Sequence, residues 1–343
     1  MLRFFRKMRN ALIPESRFGR YFFYAMGEIV LVVIGILIAL QINNWNATRK
    51  NNAEFKSIME ALQQDLYYNI NRANSVIADA YKRDSLINLI LNDSITSEMY
   101  RKNSDLRNVI GTIQYYTPIQ DNLISALNFE NRVAHAFKPL IPKLKLLKTY
   151  FERWNYTYLG SLQEIGIYEK WLAENFYWYS QTDSVATESH VNFLLNNPIY
   201  KNKVFVFRKS YLNNTVYNTM FIRNQSVGIL AKLVQLEKNN QFSDLNALFQ
   251  QFGLKPYDHI NDTTGFKTDV MIQFRSASLI YNATNQNITV FRITGLRRNY
   301  PQTLNPGDFY TPTTYGGDLV EVVFENQDSQ FYQTVLDGYL LIE

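Results

Sequence analysis

The chain contains no cysteine. That removes disulfide scaffolds, thiolate zinc sites, iron–sulfur ligation and cysteine nucleophiles together. Only three histidines occur, His135, His190 and His259, each far from the others and in a different context. They predict surface or packing roles rather than a base or a multi-histidine metal site. There is no Gly-rich phosphate loop, His-Glu-x-x-His, Gly-x-Ser-x-Gly or paired-glycine dinucleotide fingerprint. Asp258, Asp262 and Asp269 lie in one polar stretch but lack the alternating ligands and Gly of a helix–loop–helix calcium site, so they predict a solvated loop. The expectation is a protein that is not an enzyme and carries no cofactor or metal.

Disorder is excluded as the general state, because 46% of the 343 residues are hydrophobic and 19% charged. This length suggests about two folded units. The net charge is +5, which alone would admit nucleic acid as a partner. Residues 1–28, however, hold six basic residues (Arg3, Arg6, Lys7, Arg9, Arg17, Arg20) against Glu15 and Glu28. The body is close to neutral with both signs interspersed, and no nucleic-acid partner is expected.

The basic patch precedes an apolar run over residues 21–42 with Glu28 as its one ionisable side chain. About 20 such residues cross a bilayer core. Tyr and Phe cluster at one end and Trp45 follows the other, as residues at headgroup depth do. No small-x-small cleavage site follows, so the run predicts an uncleaved anchor rather than a signal peptide. The excess of Lys and Arg before the span predicts a cytoplasmic N-terminus and an extracytoplasmic body. No later stretch is long and apolar enough to cross again. Gly35 and Ala39 have the small-x3-small spacing that lets helices approach closely. With Glu28, which either reaches the near interface or hydrogen-bonds between helices, they suggest a homo-oligomer.

Phe4-Phe5-Arg6-Lys7 and the run from Tyr24-Ala25-Met26-Gly27-Glu28 to Asn43-Asn44-Trp45-Asn46 resemble the signature of an uncharacterised family of single-pass, membrane-anchored proteins of Gram-negative bacteria. The resemblance implies an inner-membrane anchor and a helical periplasmic domain. It carries no activity or catalytic residues.

From 43 to 92 there is neither Gly nor Pro, and apolar residues recur at three- and four-residue spacing: Phe55, Ile58, Met59, Leu62, Leu66, Ile70. This predicts a helix continuing from the membrane or restarting after Asn43-Asn44. Thr117-Pro118-Ile119-Gln120 predicts a helix start, running to about Phe137. Lys138-Pro139-Leu140-Ile141-Pro142 predicts a break before an aromatic-rich helix over 143–179. Asn197-Pro198 predicts a last long helix to about Glu237, with Leu230, Leu233, Val234 and Leu236 on its apolar side. A short helix over 243–252 should close at Gly253. After a linker over 253–265 the period becomes that of short strands with turn signals such as Asn305-Pro306-Gly307 and Gly316-Gly317. This predicts a small β-sandwich.

Ile280 to Thr284, Val290-Phe291-Arg292-Ile293, Gly295, Asn299-Tyr300-Pro301, Leu304-Asn305-Pro306-Gly307, Thr313-Thr314-Tyr315-Gly316-Gly317 and Tyr332-Gln333-Thr334 occur in the order seen in the β domain of the von Hippel–Lindau tumour suppressor. The resemblance implies a β-sandwich that holds a hydroxyproline-containing peptide. Tyr300 and Thr314 fall where that pocket makes polar contacts. Its His and Trp are replaced by Asp318 and Val320.

The fold class expected is therefore α+β, membrane-anchored: a basic cytoplasmic segment (1–20), one transmembrane helix (21–42), an extracytoplasmic long-helix bundle (43–252), a linker (253–265) and a C-terminal small β-sandwich (266–343). The expected function is an adaptor or assembly subunit in the inner membrane that binds other envelope proteins through Tyr300, Phe309, Tyr310 and Tyr315. The alternative is a ligand-sensing or transport-accessory protein that binds a small molecule in the helical bundle.

Overall fold

The computed structural model describes residues 17–132, 137–181, 187–237, 244–261, 275–294 and 297–343. Residues 1–16 of the basic segment, His135, Asp262, Asp269, Gly295 and the expected strand over 270–274 lie outside them. The layout is α+β, as expected. Two compact units are present, 1–57 and 58–343.

The first helix, α1 (Arg17–Leu91), is unbroken through Asn43-Asn44. Its N-terminal part is long and apolar enough to span a membrane. There Ile29, Leu31, Ile36 and Leu40 are exposed, as a lipid-facing surface would be. Glu28, Gly35 and Ala39 are exposed as well, and a Cβ added at Gly35 would meet nothing within 4 Å.

In the second unit α1 buries Met59, Leu62, Leu66, Ile70, Ala73 and Ile77, the face that the periodicity predicts. Short helices α2 (Ser97–Lys102) and α3 (Ser104–Arg107) follow, capped by Thr96 and Asn103. Residues 117–120 are not the helix start that Thr117-Pro118 suggests; α4 runs Asp121–Asn128. The cause is tertiary. The Asn69 side chain both accepts from the Ile119 N–H (2.9 Å) and donates to the Ile119 carbonyl (2.8 Å), holding the segment extended against α1. Pro142 does not interrupt α5 (Leu140–Asn175), because the first-turn N–H groups have no intrahelical acceptor to lose.

After α6 (Glu188–Asn196), Asn197 caps α7 (Pro198–Ser210), its Oδ1 accepting from the N–H groups of Ile199 and Tyr200. A π-helical turn over Tyr211–Val216 leads into α8 (Tyr217–Glu237). The sequence suggests one apolar side for α8. Instead its residues 217–233 are buried all round, including Asn218, Arg223, Asn224, Gln225 and Lys232. Those polar groups are tolerable because partners meet them. Asn224 donates to the Ala277 carbonyl, Gln225 to that of Lys143, and Lys232 to that of Gly307. Helix α9 (Leu245–Gln251) ends at Gly253, whose φ of +78° suits glycine.

The C-terminal strands, β1–β11 along the chain, form two main sheets. One has the order β1 (Lys255–Pro256), β11 (Gly338–Ile342), β4 (Leu279–Asn282), β7 (Phe309–Tyr310). The other runs β2 (Asp258–Ile260), β10 (Ser329–Gln333), β9 (Leu319–Phe324), β5 (Ile288–Thr294), β6 (Arg297–Leu304). Between them Ile280, Leu340, Val290, Val320 and Val322 form one core. Strands β3 (Arg275–Ala277) and β8 (Thr313–Tyr315) make a separate antiparallel pair. The four-stranded sheet turns its other face to the helices: Phe249 meets Tyr281 and Tyr339, and a Cβ at Gly228 would lie 2.5 Å from the Phe309 ring. Strand β4 is thus buried on both faces, which explains its uninterrupted Leu-Ile-Tyr run. Residues on both sides of the 253–265 stretch belong to one compact unit.

A buried ion pair ties helix and sheet together. Arg223 of α8 donates to Asp337 (2.6 Å), which precedes β11, and Tyr81 of α1 donates to the other carboxylate oxygen (2.6 Å). Both ionic side chains are almost wholly buried.

Candidate functional site

Strand β6 is the edge of its sheet, and its pairing with β5 is irregular. Val290 faces Gln302 and Arg292 faces Asn299, so Phe291 alone stands opposite both Tyr300 and Pro301. That is a β-bulge, a device that re-aims a side chain. Proline suits it, since an edge position in a bulge needs no ladder N–H. Tyr300 has φ of +54°. A left-handed conformation is rare for an aromatic residue, and a residue before proline ordinarily adopts an extended one. Such strain concentrates at binding and catalytic sites. The Tyr300 side chain is 75% exposed.

Tyr300 lines a cleft of about 340 Å³. Ile280, Val290 and Val320 supply an apolar lining, while Tyr310, Tyr315, Thr313 and Thr314 add aromatic and hydroxyl groups. Arg275 and Arg292 also line it, and among the described residues no acidic one does. A concave, largely apolar site with a few fixed polar groups is what ligand recognition uses.

The lining is held from behind. Asp318 forms an ion pair with Arg292 (3.0 Å) and accepts from the Tyr315 N–H (2.9 Å), closing a turn in which Gly317 has φ of +87°. The Arg292 guanidinium lies 5.3 Å from the centre of the Tyr315 ring. Ser278 and Thr314 share a hydrogen bond of 2.7 Å. Tyr217, the first residue of α8, shares one of 2.5 Å with Thr313, and the Arg275 guanidinium sits 4.1 Å over its ring. Burial pushes the phenol pKa of both Tyr217 and Tyr310 up. At neutral pH these hydroxyls are protonated hydrogen-bonding groups.

Of the four aromatics that the sequence singles out, Tyr300, Tyr310 and Tyr315 come together here. Phe309 does not. It is fully buried on the helix-facing side of its sheet, stacked parallel to Tyr281, with Lys143 Nζ 4.7 Å from its ring centre. Strand alternation sends Phe309 and Tyr310 to opposite faces. Arg275, Arg292 and Tyr217 escape sequence reasoning, because strand pairing and a distant helix deliver them. Glu28, Gly35 and Ala39 lie on α1 and have no part in the cleft.

A second cavity, about 980 Å³, lies among the helices and is lined by Arg83, Arg107, Glu169, Tyr168, Trp178 and His190, among others. His190 stacks on Trp178 with ring centres 4.3 Å apart. Burial, reinforced by Arg107, lowers the His190 pKa to about 4. His259 is on β2, edge-on to Tyr332. Asp258 is exposed on the same strand. Among the described residues no three His, Asp or Glu side chains gather as a metal site would require.

No curated protein and no solved structure matches the chain. Residues 28–178 match DUF6090, a family of unknown function, from within the apolar run through about two-thirds of the helical region and short of the cleft.

Proposed function

We propose that this chain is a membrane-anchored adaptor or assembly subunit that acts by binding and not by catalysis. Residues 21–42 hold it in the inner membrane of a Gram-negative cell, with the N-terminus cytoplasmic and the body periplasmic. The cleft around Tyr300, Tyr310 and Tyr315 captures a segment of another envelope polypeptide. Glu28, Gly35 and Ala39 bring copies together within the membrane.

The observation that carries this reading is Tyr300: a strained, solvent-exposed aromatic in an edge-strand bulge, at a cleft with an apolar lining. Tyrosine offers a large amphipathic surface at small entropic cost, and interface hot spots are rich in it. The likeness to the von Hippel–Lindau β domain supports the same place, since Tyr300 and Thr314 fall at its peptide pocket and both line the cleft. Val320 leaves room where that pocket has Trp, and Asp318 serves Arg292 instead of a ligand. Hydroxyproline should therefore give no gain in binding. The test is native purification of the full chain beside its Tyr300→Ala variant. The unmodified chain retains an envelope partner and the variant loses it with its melting temperature unchanged. Equal partner recovery would refute the reading.

The cavity beside Trp178 and His190 favours a second reading, a small-molecule site in the helical region. A saturable change in Trp178 fluorescence on adding a metabolite mixture, lost in Trp178→Phe, would support it over the first.

A further inference from the structure

We infer that the polypeptide segment bound in the cleft presents an acidic side chain, gripped between Arg275 and Arg292. This rests on the reading of the cleft as a polypeptide site and names the chemistry that site selects. Among the described residues two guanidinium groups line the cleft and no carboxylate does, so a negative charge on the occupant complements them. Among the described residues Arg275 makes no ion pair, its guanidinium lying 4.1 Å over the Tyr217 ring. Arg292 pairs with Asp318 through one terminal nitrogen. The buried Nε of each arginine has no hydrogen-bond partner among the described residues. Buried donors are ordinarily satisfied, and an arginine fork matches a planar carboxylate in two parallel bonds.

The supports fix the two cations from different directions. Asp318, held by the Tyr315 N–H, keeps Arg292 at the β5–β9 side. Tyr217, held by Thr313, carries Arg275 at the β3–β8 side. Tyr300 and Tyr310 then flank an apolar lining that suits the hydrocarbon stem of a Glu or the residue beside it. A volume of about 340 Å³ accommodates a few side chains and not a folded domain. The occupant is thus an extended acidic segment.

The test uses the full chain in detergent and an array of N-acetylated, C-amidated nonapeptides with randomised flanks. The central residue is Glu or Gln, and a third set has Gln with a free C-terminal carboxylate. The Glu set should bind about tenfold tighter than the Gln set, the low end for a charge-assisted pair. Arg275→Gln should erase that preference. Arg275→Lys, which keeps charge but not the fork, should restore part of it. Arg292→Lys, which keeps the Asp318 pair, gives a second measure should Arg275→Gln fail to fold. Equal binding of Glu and Gln sets, still sensitive to Tyr300→Ala, would overturn the acidic-segment inference and leave the polypeptide reading standing. Preference for the free C-terminus would overturn the side-chain assignment. Binding of none of the three sets would overturn both readings.

Discussion

Asp337→Asn isolates the buried ion pair that ties the sheet to the helices. Asparagine keeps the size and tolerates the left-handed backbone at this position, where φ is +59°. The substitution therefore removes charge with little change in shape. Arg223 is left as a buried cation with no counter-charge, facing only neutral amide oxygens: the one introduced at 337, that of Asn224 (2.9 Å) and the more distant one of Asn74 (3.4 Å). Removing one member of a buried pair costs about 3–5 kcal/mol. Tyr81→Phe, by contrast, removes one hydrogen bond to a carboxylate that stays paired, worth about 1.5–3 kcal/mol. Arg223→Met combined with Asp337→Asn removes both charges, so it should cost clearly less than the sum of the two single changes. Urea unfolding of the full chain in detergent, followed by far-ultraviolet circular dichroism, gives these values. A loss under about 1 kcal/mol for Asp337→Asn, or strict additivity in the double variant, would refute the argument.

Gly228→Ala should destabilise by about 1–3 kcal/mol, since its methyl would be driven into the buried Phe309 ring; an unchanged melting temperature would contradict that contact. Asn69→Ala should cost about 1–3 kcal/mol by freeing both backbone groups of Ile119, and hydrogen exchange at Ile119 should quicken. His190 has a folded pKa near 4, below its ordinary 6.5. The unfolded chain thus binds the extra proton first, and stability present above pH 6.5 is lost progressively as pH falls towards 4. His190→Phe, which keeps the stack on Trp178, should flatten that slope in pH-dependent melting curves.

Local signals predicted what local physics decides. The apolar run of α1, the Asn197-Pro198 cap and the Gly253 stop all stand where the sequence puts them, because each depends on neighbours along the chain. Failures arose where distant groups intervene. Thr117-Pro118 has the residues of a helix start, yet Asn69, about 50 residues earlier, holds 119 extended. Helix α8 looks one-sided in sequence and is buried all round, because polar residues such as Arg223, Asn224, Gln225 and Lys232 find partners on other elements. At the cleft, the tyrosines were legible as a cluster of amphipathic aromatics near turns. Phe309 was misplaced with them, since which face a two-residue strand shows inward depends on the helix packed behind it. The arginines were invisible: nothing near Arg275 or Arg292 announces that β3–β8 and β5–β9 pairing bring them to one cleft.

The absence of native cysteine allows one decisive measurement. A fluorophore on a single cysteine at Gln302, which pairs with the cleft residue Val290 and lies two residues from Tyr300, is titrated with the Glu-containing peptides in the full chain. The account predicts a saturable emission change that Tyr300→Ala abolishes, with no change from a label at the exposed, distant Asn326. Peptide binding that leaves the Gln302 label silent, or that survives Tyr300→Ala undiminished, would contradict it.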